Sequence, residues 1–381
     1  MSHEPRRALF VFRKLVVGGE ETEVRLLAKN LDPRRYRIEV VACVRKPGMP
    51  EQTHRQIEEL GVPLDRTPYG LSPEEEVVYL AEKVRKYHLV VACQSVPFVY
   101  PALERLAPEA RPPLIEHGGL VSEVFETPKH LTTRYVGVCR TIRNAAACLM
   151  PHRTHHAIEI PSMVDLSEFD PADRPGVRRE WGAPEGTPVI GWVGRLERKK
   201  RVEDFIRAAA IVRDAHPQAR FVVIGGPAVS MPEYADELRA LARELALGDA
   251  LRFLGDRPDV PRLLSGLDIF VWLSRGEGMP HVVSEAGAAG LPVVATRDNG
   301  SEEQIVDDVS GLFVPHESPR AVASELGRLI RDPRLRRRLG RNLRLKVERE
   351  YGAAAVARRW EELFDRVVAE TERSRVRVRR Q

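Results

Sequence analysis

Residues 274–290 read SRGEGMPHVVSEAGAAG and follow directly on the apolar run IFVWL at 269–273. Together they describe a buried strand, a glycine-rich loop and a helix. The run is short, continuous and rich in β-branched and aromatic residues, the pattern of a strand covered on both faces of a parallel sheet. Gly276 and Gly278 permit a tight loop in which a ligand approaches the backbone closely. Pro280 suits a first helical turn, where its missing N–H costs nothing. The amides at that helix start would present a positive end to an anion or a sugar hydroxyl. Glu277 then lies in the loop, and Glu285 lies about a turn and a half into the helix. A carboxylate accepts two hydroxyl hydrogen bonds, so both suit vicinal diols, one on a ribose and one on a sugar ring. Two glutamates eight residues apart mean nothing by themselves; the glycines, the proline and the strand–loop–helix setting give them weight.

Working outward, the same alternation repeats. In the C-terminal half, TPVIGWVG (187–194), ARFVVIGG (219–226), LRFLG (251–255), PVVATR (292–297) and GLFVP (311–315) read as strands. VEDFIRAAAIVRDAHP, ADELRALARELALG and VPRLLSGL read as helices between them. In the N-terminal half the strands are RALFVFRKL, RIEVVACV, VPLDRT, LVVACQ, PPLIEHGG, TRYVGVC and AIEIPSMV. The helices there are TEVRLLAKNL, with Thr22 as N-cap, EQTHRQIEELG, closed by Gly61, and PEEEVVYLAEKVRKYH. The stretch 165–188, DLSEFDPADRPGVRREWGAPEGTP, is rich in proline, glycine and charge and reads as a hinge. The final segment is long amphipathic helix broken near Asp332–Pro333 and Tyr351–Gly352. Strands alternating with helices give an α/β fold with parallel sheets covered on both faces. A chain of 381 residues exceeds what one hydrophobic core usually serves. The expected architecture is two Rossmann-like domains facing across a cleft, at 1–170 and 171–355, followed by a C-terminal helix at 356–381.

Ligands in open parallel sheets sit beyond the C-terminal strand ends, and three further loops fall there. In GWVGRLERKKRVEDF, Arg195 and Lys200 leave the sheet end together and suit a diphosphate, the arginine bidentately and the lysine as a point charge. Lys199, Arg198 and Arg201 read as solvated neighbours. In VVGGEE, Gly18–Gly19 offers amides to a phosphate or a sugar; it is neither a full GxGxxG nor a P-loop. In PLIEHGGLVSE, His117 follows a strand and can hydrogen-bond a sugar hydroxyl or assist at a reacting carbon; a structural histidine is the competing reading. Glu116 alternates to the opposite face. His152, His155 and His156 of PHRTHH read as a connection rather than a metal site.

Assembled, these residues resemble a retaining glycosyltransferase of family 4 with the GT-B architecture. The resemblance runs through IPSMVDLSEFDP, GWVGRLERKKRVEDFIRAA, RFVVIGGP, LRFLG, LDIFVWLSRGEGMPHVVSEAGAAGLPVVAT and DDVSGLFVP. It is strong from about 187 to 365 and weaker from 8 to 171. It implies transfer of a hexose or N-acetylhexosamine from a UDP- or GDP-sugar to a glycan, lipid-linked or small-molecule acceptor. Arg195 and Lys200 would hold the donor diphosphate and stabilise the leaving nucleotide. Glu277 would meet donor sugar hydroxyls with the amides of Gly278 and Met279 beside Pro280, and Glu285 would bind the ribose diol. Gly18 and Gly19 would sit against the donor, the backbone around Leu254–Arg257 would touch the base, and His117 would line the reacting carbon. By the same resemblance no cofactor and no metal are expected, and the sequence has no DxD triplet. Departures from the family pattern are Ser162–Met163 for Asn-Gly, Gln94 for histidine, Arg201 for glycine, and Asn299–Gly300 for two glycines; Glu303 keeps its place. A nucleotide-sugar epimerase and a non-catalytic sugar-nucleotide sensor are the alternative classes. The former would concentrate acid/base groups in the cleft, and the latter would bind without turnover.

Composition narrows the setting. With 43% hydrophobic and 30% charged residues and no run of ~18–20 apolar residues, a soluble protein is expected. MSHEPRRALFVFRKL lacks a signal-peptide cleavage pattern, so the expected address is cytoplasmic, and no nucleic-acid partner is expected. The basic tail RSRVRVRR, from Arg373 to Arg380, reads either as a solvated terminus or as a contact with an acidic membrane face. Cys43, Cys93, Cys139 and Cys148 form no CxxC, which argues against a zinc or disulfide framework.

Overall fold

Thirteen strands form two sheets in the computed structural model, which describes residues 4–16, 18–228 and 230–379. The first unit comprises residues up to Met163 together with Ala353 onward, and the second runs from Val164 to Gly352. In the first, β1 (Arg6–Phe12), β2 (Tyr36–Ala42), β3 (Leu64–Asp65), β4 (Leu89–Cys93), β5 (Leu114–Gly118), β6 (Thr132–Gly137) and β7 (Ala157–Glu159) lie in the order β3-β2-β1-β4-β5-β6-β7. In the second, β8 (Val189–Val193), β9 (Arg220–Ile224), β10 (Leu251–Phe253), β11 (Ile269–Trp272), β12 (Val293–Thr296) and β13 (Leu312–Val314) lie in the order β10-β9-β8-β11-β12-β13. All ladders are parallel. These are two Rossmann-like units, the GT-B fold class. The strand order reverses between β1 and β4 in one sheet and between β8 and β11 in the other, and such reversals open a crevice for a ligand.

Burial explains why the central strands read as continuous apolar runs: β4, β8 and β11 are buried at every position. The final helix, Ala353–Arg379, belongs to the first core, where Val356, Trp360, Phe364 and Val367 are at most 1% exposed. Phe364 meets Tyr36 and Phe10 edge to face, with centroids 5.5 and 6.5 Å apart. The breaks expected in the C-terminal segment separate helices Pro319–Arg331, Pro333–Glu350 and Ala353–Arg379.

Several local expectations are corrected. Gly18, not Thr22, caps the helix Gly19–Asn30; Thr22 is inside it and donates its hydroxyl to the Gly18 carbonyl at 3.0 Å. The stretch read as a hinge contains the helix Arg174–Glu180, anchored by buried Val177, Arg178 and Trp181. Arg174 and Arg178 tie it to Asp268 at 2.6 and 3.0 Å, contacts that leave no periodicity in the sequence. Helices Val96–Glu104 and Arg140–Cys148 were not anticipated; Pro97 and Pro101 mask the first. Cys43, Cys93 and Cys139 are buried, Cys148 is exposed, and none of the four is in a disulfide among the described residues. His155 and His156 sit in a short 3-10 turn, where His156 Nδ1 lies 2.9 Å from the Thr133 carbonyl. Arg380 lies outside the described residues, as do the side chains of residues 377–379.

Candidate active site

In the second unit the loops after β8 and β11, the two strands flanking the reversal, are fastened together. Arg275 N–H donates to the Lys199 carbonyl at 2.9 Å. Across this junction the Lys200 ammonium lies 2.9 Å from Glu277 Oε1 and 4.6 Å from the centroid of the Trp272 ring. The side chains of Lys200 and Glu277 are only 10% and 12% exposed. Ser274 donates to the same Oε1 at 2.9 Å, and Lys199 Nζ is 3.3 Å from it. Burial pushes the Lys200 ammonium below its ordinary pKa, against the pull of Glu277. Burial also works to raise Glu277, but Lys200 and Lys199 outweigh it and hold that carboxyl below the usual range. Three donors therefore converge on one oxygen, and among the described residues none is placed on Oε2.

The loop itself is held from behind. The Glu277 N–H donates to Asp298 Oδ2 at 2.7 Å, and the Asn299 amide donates to the Glu277 carbonyl at 3.0 Å. Gly276 has φ +74°, which favours glycine. An added Cβ on Gly300 would stand 2.0 Å from the Gly278 carbonyl oxygen and 2.4 Å from Met279 Cα. That close approach gives the second half of the Asn299–Gly300 pair its role. Pro280 occupies the N-cap of the helix His281–Ala288 rather than its first turn. Its carbonyl accepts from buried Gln304, whose amide also reaches Ser284 Oγ at 2.8 Å. Glu285 is half-buried on that helix.

Arg195 is 45% exposed and pairs with Glu197 at 3.2 Å. The expectation that its neighbours are simply solvated is corrected: Lys199 joins Glu277, and Arg201 pairs with Glu203 and Asp204 from a left-handed backbone at φ +54°. Arg198 is exposed and pairs with Glu237. Around Leu254–Arg257, Asp256 accepts from Gly226 N–H at 2.7 Å, and Arg257 pairs with Asp259 at 2.8 Å.

In the first unit the reversal is lined by acids. His117 lies within β5 rather than after it, and its ring packs on Trp360 at 5.6 Å. Its Nδ1 is 3.5 Å from Glu20 Oε1, and its buried Nε2 has no hydrogen-bond partner. Burial drives Glu20 up to about 8. Glu23 and Glu123 rise to about 7, again chiefly through burial. Glu123 accepts the Gly119 and Leu120 amides at 3.1 Å each. Burial lowers His117, so the imidazole is neutral at pH 7. Glu116 is on the other face, paired with Lys129 at 3.0 Å. Gly18 has an extended φ of −158°, so its conformation does not demand glycine.

Comparison with known proteins places this geometry. Residues 173–346 match the family model described as Glycosyl transferases group 1. The match spans most of the second unit. The chain is 35% identical over 188 residues to a D-inositol 3-phosphate glycosyltransferase of Corynebacterium urealyticum, a match covering 48% of this chain and 44% of that protein. The corresponding protein of Corynebacterium jeikeium is 38% identical over 190 residues, covering 48% and 45%. The chain thus spans less than half the length of these relatives. Among solved structures, Anabaena HepE in complex with UDP and glucose superposes with a TM-score of 0.82 at 21% identity, covering 94% of this chain and 99% of that one. At that identity the likeness is one of fold.

Within the second unit, sequence reasoning missed Trp272, Ser274 and Asp298. Trp272 reads as core, and nothing local shows that its ring faces Lys200. Asp298 was legible as the cap of a D-x-x-S box, since Asp298 and Ser301 cap the helix Asn299–Gln304 reciprocally. In the first unit Glu20 and Glu123 were missed because glutamates in helical first turns read as dipole-stabilising surface, and Glu23, a turn into its helix, reads as an ordinary polar face. Among the described residues no group of three or more His, Cys, Asp or Glu is arranged to hold a metal ion, and no helix is long and apolar enough to cross a membrane.

Proposed function

We propose that the protein is a retaining glycosyltransferase that moves a hexose or an N-acetylhexosamine from a nucleotide-sugar to a glycan, lipid-linked or small-molecule acceptor. The observation that carries this reading is the buried Lys200–Glu277 pair, set by two loops at the strand reversal of a glycosyl transferases group 1 unit. A UDP-sugar is the favoured donor over a GDP-sugar, because HepE was solved with UDP and glucose. Lys200 has three N–H donors and spends one on Glu277, so two remain for diphosphate oxygens. Arg195, exposed beside Glu197, supplies a second, bidentate contact. Glu277 is ionised, and with Oε1 occupied its Oε2 accepts sugar hydroxyls. Glu285 takes the ribose diol, and the amides of Gly278 and Met279 flank the donor.

In the transfer the bond between the anomeric carbon and the diphosphate oxygen breaks while the acceptor oxygen bonds to the same face. The acceptor proton goes to the departing diphosphate oxygen. Lys200 and Arg195 stabilise the negative charge that develops there. With two cations in that role, the reaction proceeds without a divalent metal and survives EDTA. In the first unit, neutral His117 is the residue proposed to meet a sugar hydroxyl, and the Gly18–Gly19 backbone a phosphate.

Binding of nucleoside diphosphates and their sugars to wild type, Lys200→Ala and Glu285→Ala tests the assignment. Losing a charge-assisted contact should weaken binding by ~1.5–3 kcal/mol. Unchanged binding of every ligand by both variants would remove the donor site. A product with inverted anomeric configuration, read by NMR, would overturn the mechanism and leave the fold standing.

A further inference from the structure

A cavity of about 490 Å³ opens in the second unit at the sheet end opposite the donor loops, beside the residues that precede β11 and β12. Its volume is that of a small-molecule site. Phe169, Leu267 and Leu291 supply an apolar floor. The lining charges are unequal. Arg174 is committed to Asp268 at 2.6 Å, and Asp170 accepts from the Ala172 N–H at 2.8 Å. Arg344 pairs with Glu348. Arg336 donates only to the Leu329 and Ile330 carbonyls, at 3.0 and 3.2 Å. Arg337 makes no ion pair among the described residues. Two guanidinium groups therefore line the cavity outside any ion pair among the described residues.

Arg337 also belongs to a helix surface. In Pro333–Glu350, Leu335, Leu339, Leu343 and Val347 face the core. Arg334, Arg337, Arg338 and Arg341 are exposed at the spacing of one face, and Leu345, 52% exposed, follows one turn later. Arg338 and Arg341, like Arg337, make no ion pair among the described residues. A helix with an arginine face, an exposed leucine on that face and an apolar cavity alongside suits a surface both anionic and apolar just beneath. A nucleic acid would satisfy the arginines but offer nothing to Leu345 or to the Phe169 floor.

We propose that this cavity and the arginine face of Pro333–Glu350 form a docking site for anionic phospholipid at a membrane surface. The lipid phosphate sits on Arg336 and Arg337, and its glycerol and first methylenes lie over Phe169, Leu267 and Leu291. Arg338 and Arg341 contact neighbouring headgroups. This inference is independent of the donor-site reading and assigns surface binding to the second unit rather than to the basic tail.

Vesicle flotation with the full chain tests it, using pure phosphatidylcholine and phosphatidylcholine with about one-third phosphatidylglycerol in about 0.1 M salt, where the Debye length is near 10 Å. Wild type should float with the anionic vesicles alone. Arg337→Gln/Arg341→Gln should bind them about 30-fold more weakly, on ~1 kcal/mol per juxtamembrane cation. Arg373→Gln/Arg375→Gln in the tail should bind as wild type. Thermal melts of each variant confirm folding. The proposal is overturned if wild type ignores anionic vesicles, if the helix variant binds undiminished, or if only the tail variant is impaired. Release from vesicles by millimolar glycerol phosphate would make the ligand a soluble phosphate ester and overturn the membrane assignment. So would tighter binding to an oligonucleotide than to the vesicles.

Discussion

Lys200 and Glu277 form a pair in which each charge depends on the other. Their side chains are about nine-tenths buried, and removing one partner of such a pair leaves an uncompensated charge worth ~3–5 kcal/mol. Glu277→Gln should therefore lower the stability of the second unit markedly, while Lys200→Met/Glu277→Gln should recover most of the loss; urea melts of the cycle read both. In the first unit, Glu20 reaches about 8 in a site facing Glu23, Glu123, His117 and Cys93. A carboxyl raised in the folded state contributes stability that is complete below its unfolded value near 4.5 and is lost as pH rises through about 8. Glu20→Gln fixes the uncharged form, so it should melt like wild type at about pH 4.5 and above it at about pH 8.5. The difference should grow by up to about 1.4 kcal/mol per pH unit between those values. Equal melting temperatures at both pH values would remove Glu20 as the source.

At the scale of elements, the loop after β11 owes its form to the helix Asn299–Gln304, which holds it through Asp298, Asn299 and Gly300. Gly300→Ala would drive a methyl into the Gly278 carbonyl and Met279 Cα, with no flexible side chain to yield. It should destabilise the second unit by about 1–3 kcal/mol and weaken nucleotide binding, although residue 300 presents no group to a ligand. Calorimetry and a binding titration report the two effects separately. Much of this level was legible in the sequence. Continuous apolar strands and the glycine loops after β8 and β11 marked themselves. Val96–Glu104 and Arg174–Glu180 did not, because a short helix containing prolines is stabilised by tertiary packing rather than by periodicity.

Across the whole molecule, the division into units does not follow chain order. Ala353–Arg379 returns to the first core and buries Trp360 against Phe364 and His117. Trp360→Ala should cost ~3–5 kcal/mol, with hydrogen exchange accelerating in the first unit and unchanged in the second. A fragment spanning 164–352 should fold alone, since its sheet and helices close one core without either terminus. Aggregation of that fragment under conditions where the full chain is soluble would contradict this.

The sequence alone determined two parallel sheets, the loops at their C-terminal edges and the placement of Glu277 and Glu285 on a loop and the helix behind it. Those features are local, set by hydrophobic period, glycine and proline within a few residues. What only the tertiary structure decided is which charges meet. Lys199 and Lys200 reach Glu277 because β8 and β11 are neighbours in a sheet whose order skips β9 and β10. Glu20, Glu123 and His117 converge because β1, β4 and β5 adjoin. Strand order places distant residues side by side, and burial then sets their charge states; neither leaves a local trace in the chain.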